Sequence, residues 1–564
     1  MKEIKHSPLV RPNIIDRVVG FFNPVAGAQR YLARGKMALV GGYHGGSHVR
    51  AAMRNFKPGA GSPEVDINLS LPDLRPRSRD LARNCPPATS AIGTNVTHVI
   101  GTGLAMQPRI HRDILGLEDE AATEWESTTK RKFELWANSR LCDAEMTNTF
   151  PELQAIVFRS MLESGDVLAL LPQIDRPGWP YKLAIQLVEA DRLSNPNRRM
   201  DSESIIGGVE VGKYGEPVNY HITSHHPGSI TGRAALKWTA VPAFGSRTGR
   251  RNVLHVYETL RPGQKRGVPY LSSVLEQLKQ LERYTDAELQ AAVISAAFAI
   301  FVKMDHEAFA ELFDEESQKA VIAKGAEWDG SIESGKAVNM LPGESIETAS
   351  PGRPNSEFDP FVTSILRQIG MALELPYEVL ILHFQSSYSA ARAALMSAWR
   401  VFRKRREFMT SKFCQPIYEE WLAEAVASGD VKAPGFFADP LLRAAWCSAK
   451  WTGDAPGAID PKKEVDAAKG RVELGISTLD AESILHDGEE WESKHNQQVK
   501  ERKARLEAGL ISEGPAALSS DQINKHEAAE SEDEENEEES KEPEAGEDPE
   551  EEAGEDPEEE KGDQ

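Results

Sequence analysis

"SYSAARAALMSAWRVFRKRREF", Ser387–Phe408, packs five cations into the seven residues Arg400–Arg406 of a chain whose net charge is −23. The stretch contains no Pro or Gly, and its apolar residues recur at helical spacing. At 100° per residue, Leu395, Trp399, Phe402, Met409 and Phe413 share one stripe. Arg392, Arg400, Arg403 and Lys404 share an adjacent sector about 120° wide. Arg406 falls back into the apolar stripe, where a long side chain must snorkel or find a partner. The pattern predicts a helix from about Ser387 to Cys414, stopped by Pro416. The basic sector is either a solvated face or a surface that meets phosphates or a neighbouring subunit; four cations suit phosphates better than bases, since phosphate contacts fix position and read no sequence.

The charge is unevenly spread. Residues 527–564 hold 22 Asp and Glu against two Lys, a net of −20, so the other 526 residues carry only −3. A tight nucleic-acid binder would be clearly basic, and this body is not. The acidic end repeats "EAGEDPEE" at Glu544–Glu551 and Glu552–Glu559, and is predicted to be disordered. The four cysteines, Cys85, Cys142, Cys414 and Cys447, form no C-x-x-C pair, which suggests a reducing compartment and no structural zinc. The opening residues lack the continuous apolar region of a secretory signal. The most apolar run, "AAVISAAFAIFV" at Ala291–Val302, is shorter than the ~20 residues of a membrane span and reads as part of a buried helix. No membrane partner is expected.

Working outward, residues 1–60 read as an N-terminal arm and 61–500 as the folded body. Residues 501–526 read as a helix-prone linker, before the tail at 527–564. Within the body, 71–100 begins helical and carries Arg75, Arg77, Arg79 and Arg83; 120–170 is mostly helical, anchored by Trp125, Trp136 and Phe150. A β-rich section covers about 180–260, with a hairpin expected around Lys213–Glu216 and a strand in "RRNVLHVYETL". A second long helix is expected over 272–303, and helical pattern resumes at Phe361–Leu373. The fold class is α+β, mainly helical.

Motifs for chemistry are weak. "GSIESGKA", Gly330–Ala337, fits a phosphate-binding loop except that alanine stands where Ser or Thr must ligate magnesium, and Glu333 would sit among the phosphates. "GTGLAM", Gly101–Met106, lacks the third glycine of a dinucleotide fingerprint and reads as a turn. His221, His225 and His226 have a chelating spacing only on a helix, and His221 ends a predicted strand. His306 has no partner four residues on. No catalytic residue, metal ligand or cofactor is expected.

"LRPRSRDLARN", "LVEADRL", "LRPGQKRGVPYL", "LKQLERYTDAELQAA", "ASPGRPNSEFDPFV", "IGMALELPYEVL", the opening helix and "FCQPIYEEWLAEAV" follow in this order. The series, over roughly residues 20–500, closely resembles the lambda-type family of tailed-bacteriophage portal proteins. The resemblance implies a subunit with wing, stem, clip and crown that assembles into a ring, usually a homododecamer, at one capsid vertex of the virion. It implies that double-stranded DNA passes through the ring in packaging and ejection. It also implies docking by the terminase large subunit, replacement by head-tail connector proteins, contact with the major capsid protein, and assembly in the host cytoplasm. A body near neutral charge suits a tunnel through which DNA must slide, because each phosphate contact adds affinity. Two helices of this length span roughly 40 Å each and would line such a tunnel. Two other readings stand beside it: a packaging-motor ATPase, against which Ala337 argues, and a structural vertex protein without a DNA path.

Overall fold

The computed structural model describes residues 14–39, 44–46, 51–230, 235–296, 300–304, 314, 316–317, 319–320, 344–348, 357–384, 387–457, 461–488 and 491–511. The chain divides into two compact units, Met1–Ile459 and Asp460–Gln564. The phosphate-loop-like segment 330–337, His306 and the acidic tail lie outside the described residues.

The first unit begins with two helices, α1 (Ile14–Phe22) and α2 (Pro24–Leu39). The body then opens with α3 (Leu71–Asn84) and α4 (Pro86–Val99), divided where Cys85 turns extended. Pro86 and Pro87 sit in the first turn of α4, where their missing N–H groups cost nothing. Next come α5 (Asp119–Ala137) and α6 (Phe150–Ser164), the latter started by a Thr149–Glu152 capping box. Trp136 and Phe150 are fully buried as expected, while Trp125 packs at the edge of the core against Trp446, ring centroids 4.8 Å apart.

Among the described residues the named strands pair antiparallel. β1 (Ala105–Pro108) pairs with a strand far along the chain, Ala449–Thr452. β2 (Asp166–Leu170) lies between β3 (Gln186–Glu189) and Val253–Tyr257. Ile205–Ile206, Val209–Val211, Pro217–Thr223 and Trp238–Pro242 form β4 to β7, a four-stranded sheet in that order. Val253–Tyr257 is therefore β8, and "RRNVLHVYETL" is the strand it promised to be. The hairpin expected around Lys213–Glu216 is β5–β6, with Gly215 left-handed in the turn (φ 81°). Leu168, Val188 and Val253 from one sheet meet Val209, Tyr220 and Ile222 from the other in a small core of their own.

The long helix expected over 272–303 is α7, Leu275–Ala296. The apolar run Ala291–Val302 is not one buried helix. α7 ends inside it, Val293 is exposed, and Ile300–Met304 is strand β9, paired with β10 (Glu344–Thr348). Periodicity cannot separate a short apolar strand from a buried helical turn, and β-branched Ile300 and Val302 with Phe301 favour the strand. α8 (Phe358–Ala372) follows, then the basic helix α9 (Tyr388–Met409).

α9 does not stop before Pro416. One π-turn, Thr410–Cys414, carries it into α10 (Gln415–Ala427). The wider π-turn gives Pro416 a place in the first turn of a new α segment, where its ring and missing donor are tolerated. β11 (Ala449–Thr452) closes the unit. Phe402, Met409 and Phe413 of the predicted stripe are buried, and Leu395 and Trp399 pack partly buried against the same core. The four cysteines are free and buried. The second unit contains α11 (Pro461–Glu473), α12 (Leu479–Asp487) and α13 (Trp491–Glu507), with Arg471 forking onto Glu482 at 2.9 and 2.6 Å. Mainly helical, with strands in separate antiparallel sheets, the fold is α+β.

Candidate functional site

The five cations of Arg400–Arg406 split into two populations. Arg405 and Arg406 turn inward. Arg406 donates to the carbonyls of Val99 (3.1 Å) and His98 (2.9 Å) at the C-terminal end of α4, and to the Asp454 carbonyl (2.9 Å). A helix C-terminus leaves carbonyls unpaired and partly negative, so a guanidinium there satisfies both demands. The Arg406 guanidinium also lies over Trp399, 5.6 Å from its centroid, and His98 stacks on Phe402 at 4.9 Å. Burial and the nearby guanidinium hold His98 below its ordinary value, so the ring is neutral where it packs. Arg405 covers Tyr270 (4.7 Å), bonds the Asn95 side chain and reaches Glu374 at 3.3 Å. The sequence placed Arg406 among apolar neighbours with two options, to snorkel or to find a partner, and the partners it has are backbone oxygens.

Arg400, Arg403 and Lys404 point the other way and are exposed, and Arg392 is half-buried two turns earlier. Among the described residues none supplies any of the four with a hydrogen bond or an ion pair. One helix therefore spends two cations on its own anchoring and leaves a separate set outward. Arg406→Ala is expected to cost about 2–3 kcal/mol, the loss of charge-assisted bonds to buried carbonyls. Arg403→Ala should change stability by less than about 0.5 kcal/mol. Urea unfolding of both variants checks the division, and equal losses would refute it.

A second charged cluster lies inside the subunit and was not legible in the sequence. Asp166, at the start of β2, is 1% exposed. Arg266 reaches it at 2.6 and 3.2 Å, Arg75 at 2.9 Å, the Gly267 amide at 3.1 Å and His255 at 3.3 Å. Arg266 also donates to the carbonyls of Ala190, Leu193 and Gly207 at 2.7–2.8 Å, and Arg75 to that of Ser164 at 2.9 Å. Burial opposes ionisation of Asp166, but the two guanidinium groups overcome it and hold the carboxyl well below its usual range. Burial, with Arg266 adjacent, lowers Arg75 to about 10, still charged at neutral pH. His255 is lowered by burial against the pull of Asp166 and stays neutral, donating to the carboxylate. The cluster ties α3, β2, β8 and the Arg261–Leu271 loop together, a positioning role for a framework rather than a reactive centre.

The remaining motifs are dispersed. Gly101 and Gly103 are left-handed in a turn from α4 into β1, where Thr102 bonds Asp454 through its amide (2.9 Å) and hydroxyl (2.7 Å). His221 lies in β6, 3.5 Å from Glu210; His225 contacts the Ser224 hydroxyl at 3.0 Å; His226 is 3.6 Å from Glu189. Among the described residues no three His, Cys, Asp or Glu side chains gather as metal ligands. No helix of the described residues is long and apolar enough to cross a membrane.

The comparisons with known proteins address the whole arrangement. Phage portal protein, lambda family, is the family that matches, over residues 50–406, from ahead of α3 to the inward arginines of α9. The chain is 27% identical over 495 residues to portal protein B of Escherichia phage lambda, covering 83% of this chain and 91% of that protein. It is 27% identical over 498 residues to the portal protein of Escherichia phage N15, covering 84% and 93%. Among solved structures, a chain in the neck of an empty gene transfer agent particle, computed with C6 symmetry, superposes with a TM-score of 0.44 at 11% identity, covering 71% of this chain and 90% of that one. A match of this extent, running through both the clamped interior and the basic helix, places the chain in the lambda family of phage portal proteins.

Proposed function

We propose that copies of this portal protein close head-to-tail into a ring of twelve at one vertex of the capsid, and that double-stranded DNA passes through it in packaging and ejection. A heterologous contact that closes gives a ring, which is the geometry a DNA path needs. In this reading the terminase large subunit docks on the ring during packaging and head-tail connector proteins replace it. The major capsid protein surrounds it, and assembly takes place in the host cytoplasm. The subunit has no enzymatic step of its own and needs no cofactor.

Arg392, Arg400, Arg403 and Lys404 are the proposed DNA contacts. The observation that carries this is the exposed set Arg400, Arg403 and Lys404, which with the half-buried Arg392 have no partner among the described residues, on a helix already anchored by Arg405 and Arg406. Few and local, three of them exposed, they suit transient contacts with phosphates, since each added phosphate contact strengthens and slows. Replacing all four with Gln is expected to leave rings intact by negative-stain microscopy while packaged or retained DNA falls about tenfold or more, as lost phosphate contacts dictate. Rings that fall apart would make this face a salt-bridge surface between subunits instead.

A further inference from the structure

The N-terminal hairpin shows its apolar residues to solvent. On α1 and the start of α2, Ile14, Ile15, Val18, Phe21, Phe22 and Val25 are all at least half exposed, Phe21 and Phe22 at 83% and 81%. Those two rings alone present on the order of 300 Å², as much as the largest apolar patch of a typical monomer. The hairpin does not use them to hold itself together: it closes through Gly27, which is buried, against Gly20, where an added Cβ would lie 4.0 Å from the Gly27 Cα.

Charge marks the same segment. Residues 1–57 hold ten Lys and Arg against two acidic residues, a net of +8, with four of those cations within 14–39; residues 58–526 carry −11 and the tail 527–564 the other −20. Residues 40–62, between the hairpin and the body, include six glycines.

We propose that the arm, residues 14–39, docks on a second copy of this chain, seating Phe21 and Phe22 on the neighbouring body and pairing its cations with that body's excess of carboxylates. The proposal rests on the ring reading above. DNA would satisfy the cations but leave the phenylalanines in water. A neighbour satisfies both, and its tethering in a ring supplies it at millimolar effective concentration.

The test uses the full chain with a benzophenone amino acid in place of Phe21, assembled from a mixture of light and ¹⁵N-labelled copies, imaged, then irradiated. The expected result is a ladder of covalent multimers whose cross-linked peptides pair light with heavy. Rings whose cross-links join only light to light and heavy to heavy overturn the arm proposal and leave the ring reading standing. An absence of rings overturns both. Because both side chains are exposed, F21S/F22S should fold as wild type, and the protein concentration at which rings dissociate should rise at least tenfold. An unchanged value counts against the proposal. Flotation with phosphatidylglycerol vesicles is the last arm: binding abolished by F21S/F22S, without light–heavy cross-links, would assign the arm to an anionic lipid surface and overturn docking on a copy.

Discussion

Asp166→Ala is expected to lower folding stability by about 3–5 kcal/mol, the cost of leaving buried charge without its partner. The substitution removes one small side chain, but it strands the guanidinium groups of Arg75 and Arg266, both under a tenth exposed, beside each other. Their remaining bonds to carbonyls satisfy donors without neutralising charge. The pH dependence follows from the same geometry. The Asp166 carboxyl is depressed in the folded protein, so its contribution is complete above the unfolded value of about 4 and is lost as pH falls through the folded one. His255 is depressed too; the unfolded chain takes up its proton first, so acidification below about 6.5 also favours unfolding. Denaturant midpoints from pH 8 to 2.5 should therefore fall toward acid in the wild type. The Asp166→Ala curve should start lower and lose the Asp166 part of the limb below about pH 4. The exposed Arg77→Ala should move neither; a similar loss there would show that the assay reads net charge and not the cluster.

Phe133→Ala should be comparably severe, about 3–5 kcal/mol, for a different reason. Phe133 sits on α5 with its ring centroid 5.2 Å from Trp421, 5.5 Å from Trp136 and from Tyr418, 5.9 Å from Phe150 and 6.0 Å from Trp451. Three of these contacts are edge-on to within a few degrees, the arrangement that aromatic quadrupoles favour. Truncation opens a cavity where α5, α6, α10 and β11 meet, and five rigid rings cannot collapse into it without leaving their rotamers. Phe133→Leu, which keeps most of the volume, should recover more than half of the loss. Denaturant titration of the two variants at one protein concentration gives the comparison, and equal losses would argue against a cavity as the cause.

What could be read in the chain was local. The α9 stripe follows from spacing alone, because Phe402, Met409 and Phe413 are on one side of any helix. The β5–β6 hairpin follows from two alternating runs around a glycine, and Trp136 and Phe150 announce a core by size and pattern. The division of the α9 cations was only half visible: spacing put Arg406 inside, but Arg405 is drawn inward by Tyr270 and Asn95, 135 and 310 residues away. The Asp166 cluster was invisible for the same reason. Its partners lie 91 and 100 residues off, and nothing in "SGDVLAL" distinguishes that aspartate from a turn residue. The strand at Ile300–Met304 was lost to a real ambiguity in short apolar runs, and the passage through Pro416 to a local rule that one wide turn evades.

That wide turn has a geometric consequence. A π-turn holds one residue more than an α-turn, so everything beyond Cys414 is rotated about 100° relative to an uninterrupted helix. The rod that results is a half-solvated lever up to Met409 and, past the turn, a core element carrying buried Ile417, Tyr418, Trp421 and Leu422. The compass bearing of Arg400, Arg403 and Lys404 is thus set by a single surplus residue, and the aromatic core acts as the vice that holds the lever at that angle.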